Sequence, residues 1–285
     1  MSGTLFVVAT PIGNLEDVSA RALRVLREVS VIAAEDTRRT AHLIARYGIP
    51  TPTTSLHEHN EAEKTPALLE RLLRGDQIAV VSDAGTPTVS DPGQRLIRSA
   101  IEAGVRVEPI PGPSAIIAAL AASGMPADTF LFLGFPPIRS NARTKWLQAV
   151  RSAGRTVVFF EAPSRIKATL EWLRRELGEC HISVAREMTK AHEELVNGPI
   201  SDVLGRLREP RGEFTVVLEY GQLPNLSGPG PLSDDELAAE YSTLAAGSGL
   251  TRRRIIAALS RKYGRAASEV YAAVERTKNR LKDQK

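Results

Sequence analysis

Short apolar runs alternate with helical patterns along the chain, and this alternation restricts the fold more than any other feature. Leu5 to Ala9, Val31 to Ala34, Ile78 to Val81 and Val105 to Pro109 read as buried strands. Between them Val18, Ala22, Val25, Leu26 and Val29 recur at helical spacing, as do Leu68, Leu69, Leu72 and Leu73. Strands separated by helices are joined by crossovers, so the pattern predicts a largely parallel sheet with helices on its faces. A second series follows, with strands expected at Phe130 to Phe135, Val157 to Phe160, Ile182 to Ala185, Glu194 to Asn197 and Thr215 to Leu218. Its helix over Ser164 to Leu177 follows Pro163 and stops at Gly178, a residue suited to a helix end. The join is expected around Ser123 to Asp128. That gives an N-terminal α/β domain over 1–122 and a second over 123–222.

GQLPNLSGPGP, residues 221–231, has the composition of a linker. Beyond it Ser233 and Glu236 have capping-box spacing, and three helices are predicted: Asp234 to Ala246, Arg252 to Tyr263 behind a Thr251 cap, and Ala267 to Leu281. This third piece, 232–285, resembles a helix-turn-helix extension, with Ile255, Ile256, Leu259, Val270, Tyr271 and Val274 expected to face inward. Residues 251–285 hold 11 Lys or Arg against 3 acidic residues, so the tail is +8 and the rest of the +4 chain is −4. A concentration of charge at one end suits contact with phosphates, and a solvated basic helix is the plainer alternative.

With 285 residues, 42% of them hydrophobic, the chain can bury a sizeable core. The longest uninterrupted apolar run, Ala115 to Ala122, is far short of a membrane span, and MSGTLFVV has no charged segment ahead of an apolar one. A cytoplasmic protein with no membrane partner is expected. Cys180 is the single cysteine, which excludes an intrachain disulfide and a cysteine-cluster metal site.

The chemistry is expected in loops at the carboxyl ends of the strands, where open α/β sheets bind ligands. Three loops there are rich in Gly, Pro, Ser and Thr: ATPIGN (9–14), SDAGTPTVSDPG (82–93) and PIPGPSA (109–115). Glycine lets a ligand approach the backbone, proline holds the turn, and hydroxyls stand beside free amides. Such loops can cradle an adenosine-like cofactor through main-chain groups. Neither G-x-G-x-x-G after the first strand nor G-x-x-x-x-G-K-[ST] anywhere is present, which argues against dinucleotide and nucleoside triphosphate sites.

LFVVATPIGNLEDVSARAL, AAEDTRRT, SLHEHNE, VVSDAGTPTVSDPG, PIPGPSA, LFLGFPP, FFEAPSRI, REMTKAHEE and the GEFT strand, in this order, closely resemble the ribosomal RNA small-subunit methyltransferase I family. That family belongs to the tetrapyrrole-methylase-like class of S-adenosylmethionine (SAM) methyltransferases. The resemblance runs from Leu5 to about Glu219, and the helical tail is similar to the family's C-terminal extension. It implies an α/β fold: two domains of tetrapyrrole-methylase type with the cofactor cleft between them, plus a small all-helical extension. The implied reaction is transfer of the SAM methyl group to the 2′-hydroxyl of a cytidine in 16S rRNA, the implied partner the rRNA or small ribosomal subunit, and the implied assembly a homodimer. By position in the motifs, Pro11, Gly85, Thr86, Val89, Ser114, Ala115, Phe160 and Phe214 are the implied cofactor contacts. Where the wider class often has GGDP this chain has AGTP, so Thr86 stands in place of an acidic residue.

Methyl transfer from a sulfonium is an in-line displacement that needs alignment and the handling of one proton. REMTKAHEE places Glu187, Lys190 and Glu193 in one loop; Lys190 is the first candidate to take or stabilise the proton, with contact to an RNA phosphate as its alternative. Glu35 and Asp36 end the second strand, where they either orient ribose or cap the following helix. Lys190, Glu187 and Asp36 form the catalytic set. PPIRSNARTK supplies Arg139, Arg143 and Lys145 in what reads as a flexible loop, and with Arg38 these are the candidates for gripping rRNA. His57 and His59 have H-x-H spacing but no third ligand, so no metal site is assigned. Two rivals remain: a small-molecule, tetrapyrrole-like methyltransferase, against which the basic tail argues, and a nucleic-acid-binding module without catalysis, against which the ligand loops argue.

Overall fold

The computed structural model describes residues 2–207, 211–220, 234–247, 251–263 and 267–282. The chain divides into two compact units, Met1–Tyr220 and Gly221–Lys285.

In the first unit, strands β1 (Thr4–Val8), β2 (Val31–Ala34), β3 (Thr53–Ser55), β4 (Ile78–Val81) and β5 (Arg106–Ile110) form a sheet in the order β3-β2-β4-β1-β5. Every pairing in it is parallel. Helices α1 (Ala20–Glu28) and α2 (Thr37–Tyr47) cover one face through Val25, Leu26 and Leu43. Helices α3 (Glu61–Leu73) and α4 (Gln94–Glu102) cover the other through Leu68, Leu72 and Leu96. β2 and β4 are buried at every position, as expected of strands covered on both sides. β3 escaped the sequence reading because TTS is short, polar and at the sheet edge, so it carries no apolar signal.

The second sheet departs from the parallel expectation. β6 (Phe130–Phe132), β7 (Thr156–Glu161), β8 (His181–Arg186), β9 (Glu194–Pro199) and β10 (Phe214–Glu219) lie in the order β6-β7-β10-β8-β9. Only β6 and β7 pair in parallel; β10 is antiparallel to both β7 and β8, and β8 to β9. The connection between β8 and β9, residues 187–193, contains no helix and is too short for a parallel crossover, which takes about a dozen residues. Helices α6 (Ser140–Ser152), α7 (Ile166–Leu177) and α8 (Ile200–Arg206) cover one face of this sheet. The other face packs against α5 (Ala115–Ser123), whose Ile116, Ala119 and Leu120 meet Val158, Ala185 and Val217. The helix that follows the last strand of the first sheet thus completes the core of the second. Arg143 and Lys145 lie on α6, and Arg139 immediately precedes it. The segment read as a flexible loop is therefore helical from Ser140, held by Trp146, Leu147 and Val150 in the core.

The second unit contains α9 (Asp234–Gly247), α10 (Arg252–Tyr263) and α11 (Ala267–Lys282). They share a core of Leu237, Tyr241, Ile255, Ile256, Leu259, Val270, Ala273 and Val274. Tyr271, expected inside, is 46% exposed, with the Arg252 guanidinium 4.6 Å from its ring centre. The 221–231 linker, Ser233 and the turns after α9 and α10 lie outside the described residues. Among the described residues no helix is long and apolar enough to cross a membrane.

Candidate active site

β4, β1 and β5 are neighbours, so the loops that follow them emerge side by side at the carboxyl edge of the first sheet. Two backbone hydrogen bonds tie the first two together: Thr10 N donates to Gly85 O at 2.9 Å, and Gly85 N to Thr10 O at 3.0 Å. Thr86 Oγ1 donates to Pro113 O at 3.3 Å, which joins the third. Ser114 caps α5, its hydroxyl accepting from Ile117 N, so the helix begins beneath these turns with free amides in its first turn. Glu61, reaching across from α3, accepts from the amides of Gly93, Arg95 and Leu96 and so caps α4 in place of Gly93, which has no side chain to do it.

A cavity of about 380 Å³ lies between these loops and the second sheet. Gly85, Thr86, Val89, Ser114, Ala115, Phe160 and Phe214 all line it, which brings together seven of the eight residues expected to contact the cofactor. Pro11 lines instead a smaller adjoining cavity of about 200 Å³, with Thr10, Arg39, Ser82, Asp83 and Lys190. The large cavity offers apolar walls in Ile12, Phe135 and Phe160, hydroxyls on Thr86, Ser90 and Ser114, and the carboxyl of Asp91. That donor set suits an adenosine with a positively charged appendage: flat apolar surface for a base, hydroxyls for ribose and a carboxylate for a sulfonium. The four non-glycine residues with positive φ among the described residues are Thr88 (72°), Ser90 (68°), Glu187 (49°) and Thr189 (64°). They fall in two loops, after β4 and between β8 and β9, each costing about 1–3 kcal/mol that surrounding contacts must offset.

Asp91 was missed in the sequence because it reads as one more turn residue. Burial pushes its carboxyl up to about 6, the charge of Glu35 adds to this, and a hydrogen bond with Ser82 opposes it. A raised carboxyl contributes stability below its ordinary value and loses that contribution as pH rises through about 6. Ionised, it places a negative charge on the wall facing the cofactor. The affinity for SAM is therefore expected to rise about 3- to 10-fold between about pH 5 and about pH 8, and Asp91→Asn to flatten that rise. Calorimetric titrations across this range would check it; an unaltered pH dependence in the variant would remove Asp91 from the cofactor's surroundings.

Lys190 sits where the two halves meet. Its Nζ donates to Glu187 Oε1 at 2.9 Å and Glu213 Oε2 at 3.1 Å, while Glu213 N donates to Glu187 Oε1 at 2.9 Å. Burial pulls the Lys190 ammonium down, but the two carboxylates outweigh it and the net shift is upward. Glu187 is likewise desolvated, but its bonds to Lys190 and to the Glu213 amide hold it below the usual carboxylate range. This geometry favours charge stabilisation over proton acceptance for Lys190, with Glu187 as the residue that positions it. Gly13 makes the arrangement possible: a Cβ there would stand 2.5 Å from Lys190 Cγ, 2.7 Å from Thr189 Oγ1 and 2.8 Å from the Met188 carbonyl oxygen. Asn14 N then donates to Thr189 Oγ1 at 2.9 Å, which pins the loop after β1 to the loop after β8.

Asp36 caps α2, accepting from Arg38 N at 2.9 Å, and its carboxyl is held down at about 2 by the Arg38 side chain. Of its two expected alternatives the structure shows the cap. Glu35, raised by burial, accepts from Asp83 N, and Arg39 Nη1 stands 3.4 Å from Asp83 Oδ2. Arg38, Arg139, Arg143 and Lys145 line neither cavity. Arg143 stacks on Trp172 at 3.9 Å, so its guanidinium is engaged in packing, whereas Arg139 and Lys145 are exposed. Burial pushes the Cys180 thiol up to about 11, which keeps it protonated and unreactive. His57 Nδ1 is buried without a partner, and among the described residues no three His, Cys, Asp or Glu side chains are placed to hold a metal ion.

Two α/β halves around a backbone-lined cavity define a methylase of the tetrapyrrole type. The family model for tetrapyrrole (corrin/porphyrin) methylases matches residues 4–204. Among solved structures, diphthine synthase superposes with a TM-score of 0.61 at 17% identity, covering 76% of this chain and 90% of its own. The uroporphyrin-III C-methyltransferase of Thermus thermophilus, complexed with S-adenosylhomocysteine, does so with a TM-score of 0.53 at 19% identity, covering 79% and 100%. Ribosomal RNA small subunit methyltransferase I of Pseudomonas aeruginosa is 47% identical over 228 residues, 78% of this chain and 81% of that protein. The protein of the same name from Synechocystis is 45% identical over 253 residues, 88% and 89% of the two chains. The chain belongs to the tetrapyrrole methylase family and, within it, to the ribosomal RNA small subunit methyltransferase I proteins.

Proposed function

We propose that this protein uses SAM to methylate small-subunit ribosomal RNA in the cytoplasm, at the 2′-hydroxyl of a cytidine in 16S rRNA, and that it works as a homodimer. The observation that carries the reading is the Lys190 ammonium, fixed by two carboxylates in a cavity that adjoins the one suited to SAM. SAM supplies an activated methyl group on its sulfonium. The loops after β1, β4 and β5 would hold the cofactor through main-chain groups. Gly85, Thr86, Val89, Ser114, Ala115, Phe160 and Phe214 surround it, with Pro11 in the adjoining small cavity. Lys190 faces the acceptor oxygen and stabilises the negative charge that develops there as the oxygen–methyl bond forms, the sulfur–methyl bond breaks and the hydroxyl proton passes to water in the adjoining open groove, a role in which one fixed cation is effective because it needs no reorganisation. Glu187 holds Lys190 in place. We assign α/β domains over 1–122 and 123–222 and the helical extension over 232–285, with α5 packing against the second sheet.

A small-molecule acceptor is the second reading, since the fold is shared with uroporphyrin and diphthine enzymes. The basic tail favours RNA. Ion pairs of Arg252 with Glu275 and of Arg276 with Asp234 engage part of the charge. Because the tail has its own core, ending the chain at Tyr220 is expected to leave SAM affinity and the stability of the first unit nearly intact. It is expected to weaken rRNA binding and flatten its log–log salt dependence by about 0.7–0.9 per lost phosphate contact. Filter binding across a salt series reads both quantities; an unchanged slope would make the tail an assembly element. Mapping ribose methylation by mass spectrometry in rRNA from cells with and without the protein tests the function itself. Identical maps would overturn it.

A further inference from the structure

The cofactor cavity, the small cavity and a third, open groove are joined in line through shared walls. Ile12, Ala84 and Glu213 belong to the first and second, and Gly13, Leu15 and Lys190 to the second and third. The groove runs past Asn14 and Thr189 and opens on Arg46 near the end of α2. α2 carries Arg38, Arg39, His42 and Arg46 and no acidic residue between Thr37 and Tyr47. All four side chains are exposed. Arg38, His42 and Arg46 recur every fourth position, so they form one row about 12 Å long on the helix surface. Arg39 lines the small cavity beside this row.

The charges that face the row are few. Asp36 pairs with Arg38 at the helix cap, Asp83 with Arg39, and Glu16 stands in the groove wall. Arg46 is exposed, with its guanidinium 5.5 Å from the ring centre of Tyr47. A cationic helix with Arg39 in the wall of the small cavity, Arg46 in the wall of the open groove, and Arg38 and His42 exposed on the same helix complements a polyanionic strand. Of the cations expected to hold RNA beside α6, Arg143 is engaged with Trp172, while Arg139 and Lys145 are exposed.

We propose that the small cavity receives the acceptor ribonucleoside and that the adjoining single-stranded RNA leaves through the open groove along α2, its phosphates on Arg46, His42 and Arg38. This deepens the reading of the protein as an rRNA methyltransferase and rests on it. Bound in this way, the ribose hydroxyl lies between Lys190 and the cofactor cavity, and sequence-independent phosphate contacts set the strand's direction. A free strand fits where a duplex does not, because the nucleoside must leave its stack to enter a cavity of about 200 Å³.

The test is the pair Arg38→Ser and Arg46→Ser, alone and together, with Arg98→Ser as control. Arg98 is an exposed arginine on α4, across the first sheet from α2. With a small-subunit rRNA fragment, the double variant is expected to raise Kd and KM about 10-fold or more. It is expected to flatten the salt slope by about 1.4, since each single-strand contact is worth about 0.7. SAM affinity and kcat at saturating RNA remain those of the unaltered protein, as do all values for Arg98→Ser. A photo-crosslinker attached at position 46 is expected to mark nucleotides adjoining the methylated ribose. Unchanged Kd and slope in the double variant, or crosslinks far from that ribose, would overturn the path while leaving the activity standing. Failure of the unaltered protein to methylate the RNA while it binds SAM would overturn the functional reading, and the path with it.

Discussion

Lys190→Ala is expected to lower the single-turnover methylation rate at saturating rRNA by about 10²–10³-fold, the range seen when one preorganised donor to a developing oxyanion is removed. SAM affinity is expected to change by less than about threefold, because Lys190 lines the neighbouring cavity and not the cofactor's own. The variant also leaves Glu187 and Glu213 close together without their shared cation, so the loop over 187–193 loses some order. Lys190→Arg separates the two causes. Arginine keeps the charge and cannot give up its proton, so it is expected to retain part of the rate if charge stabilisation is the role. If Lys190 instead accepted the proton, Arg and Ala would be equally inactive. An unchanged rate in Lys190→Ala would remove the residue from the site altogether.

Ala115→Trp is expected to weaken SAM binding by about 100-fold or more, which is about 2.7 kcal/mol. Ala115 is the first residue of α5 and lines the large cavity, so an indole there takes up space the cofactor needs. The substitution spares the Ser114 cap and the bond between Thr86 and Pro113, and its cost to helix stability at this position is a few tenths of a kcal/mol. The melting temperature without SAM should therefore stay close to its original value while the rise on adding SAM disappears. Calorimetry showing undiminished affinity in both Ala115→Trp and Thr86→Tyr would put the cofactor elsewhere.

The second sheet shows where local reading stops. Four of its strands were placed within a residue or two and β6 ends three residues short of its expected Phe135, because apolar content is local; β10's insertion between β7 and β8 is not, because pairing partners are set by packing against α5 and α6–α8. The same holds in the candidate site. The turn composition of residues 82–93 marked a ligand loop, yet nothing in SDPG distinguishes Asp91 from a turn former until burial and the charge of Glu35 raise its carboxyl. Arg143 reads as one more solvated cation until Trp172 is found 3.9 Å from its guanidinium.

The sequence by itself determined the alternation of strands and helices, the three main-chain-rich loops, the separate basic tail and the candidacy of Lys190. Each of these is written in composition and spacing over a few residues, where backbone preference and hydrophobic period act directly. Tertiary structure alone decided that the loops after β1, β4 and β5 share one edge, that Gly13 admits the loop from the other half, and that Lys190 is held as an ammonium between Glu187 and Glu213. The reason is physical: Gly13 and Lys190, or Lys190 and Glu213, are far apart in sequence, and the burial and ion pairing that set a side chain's charge exist only once the chain has brought such groups within a few ångströms of one another.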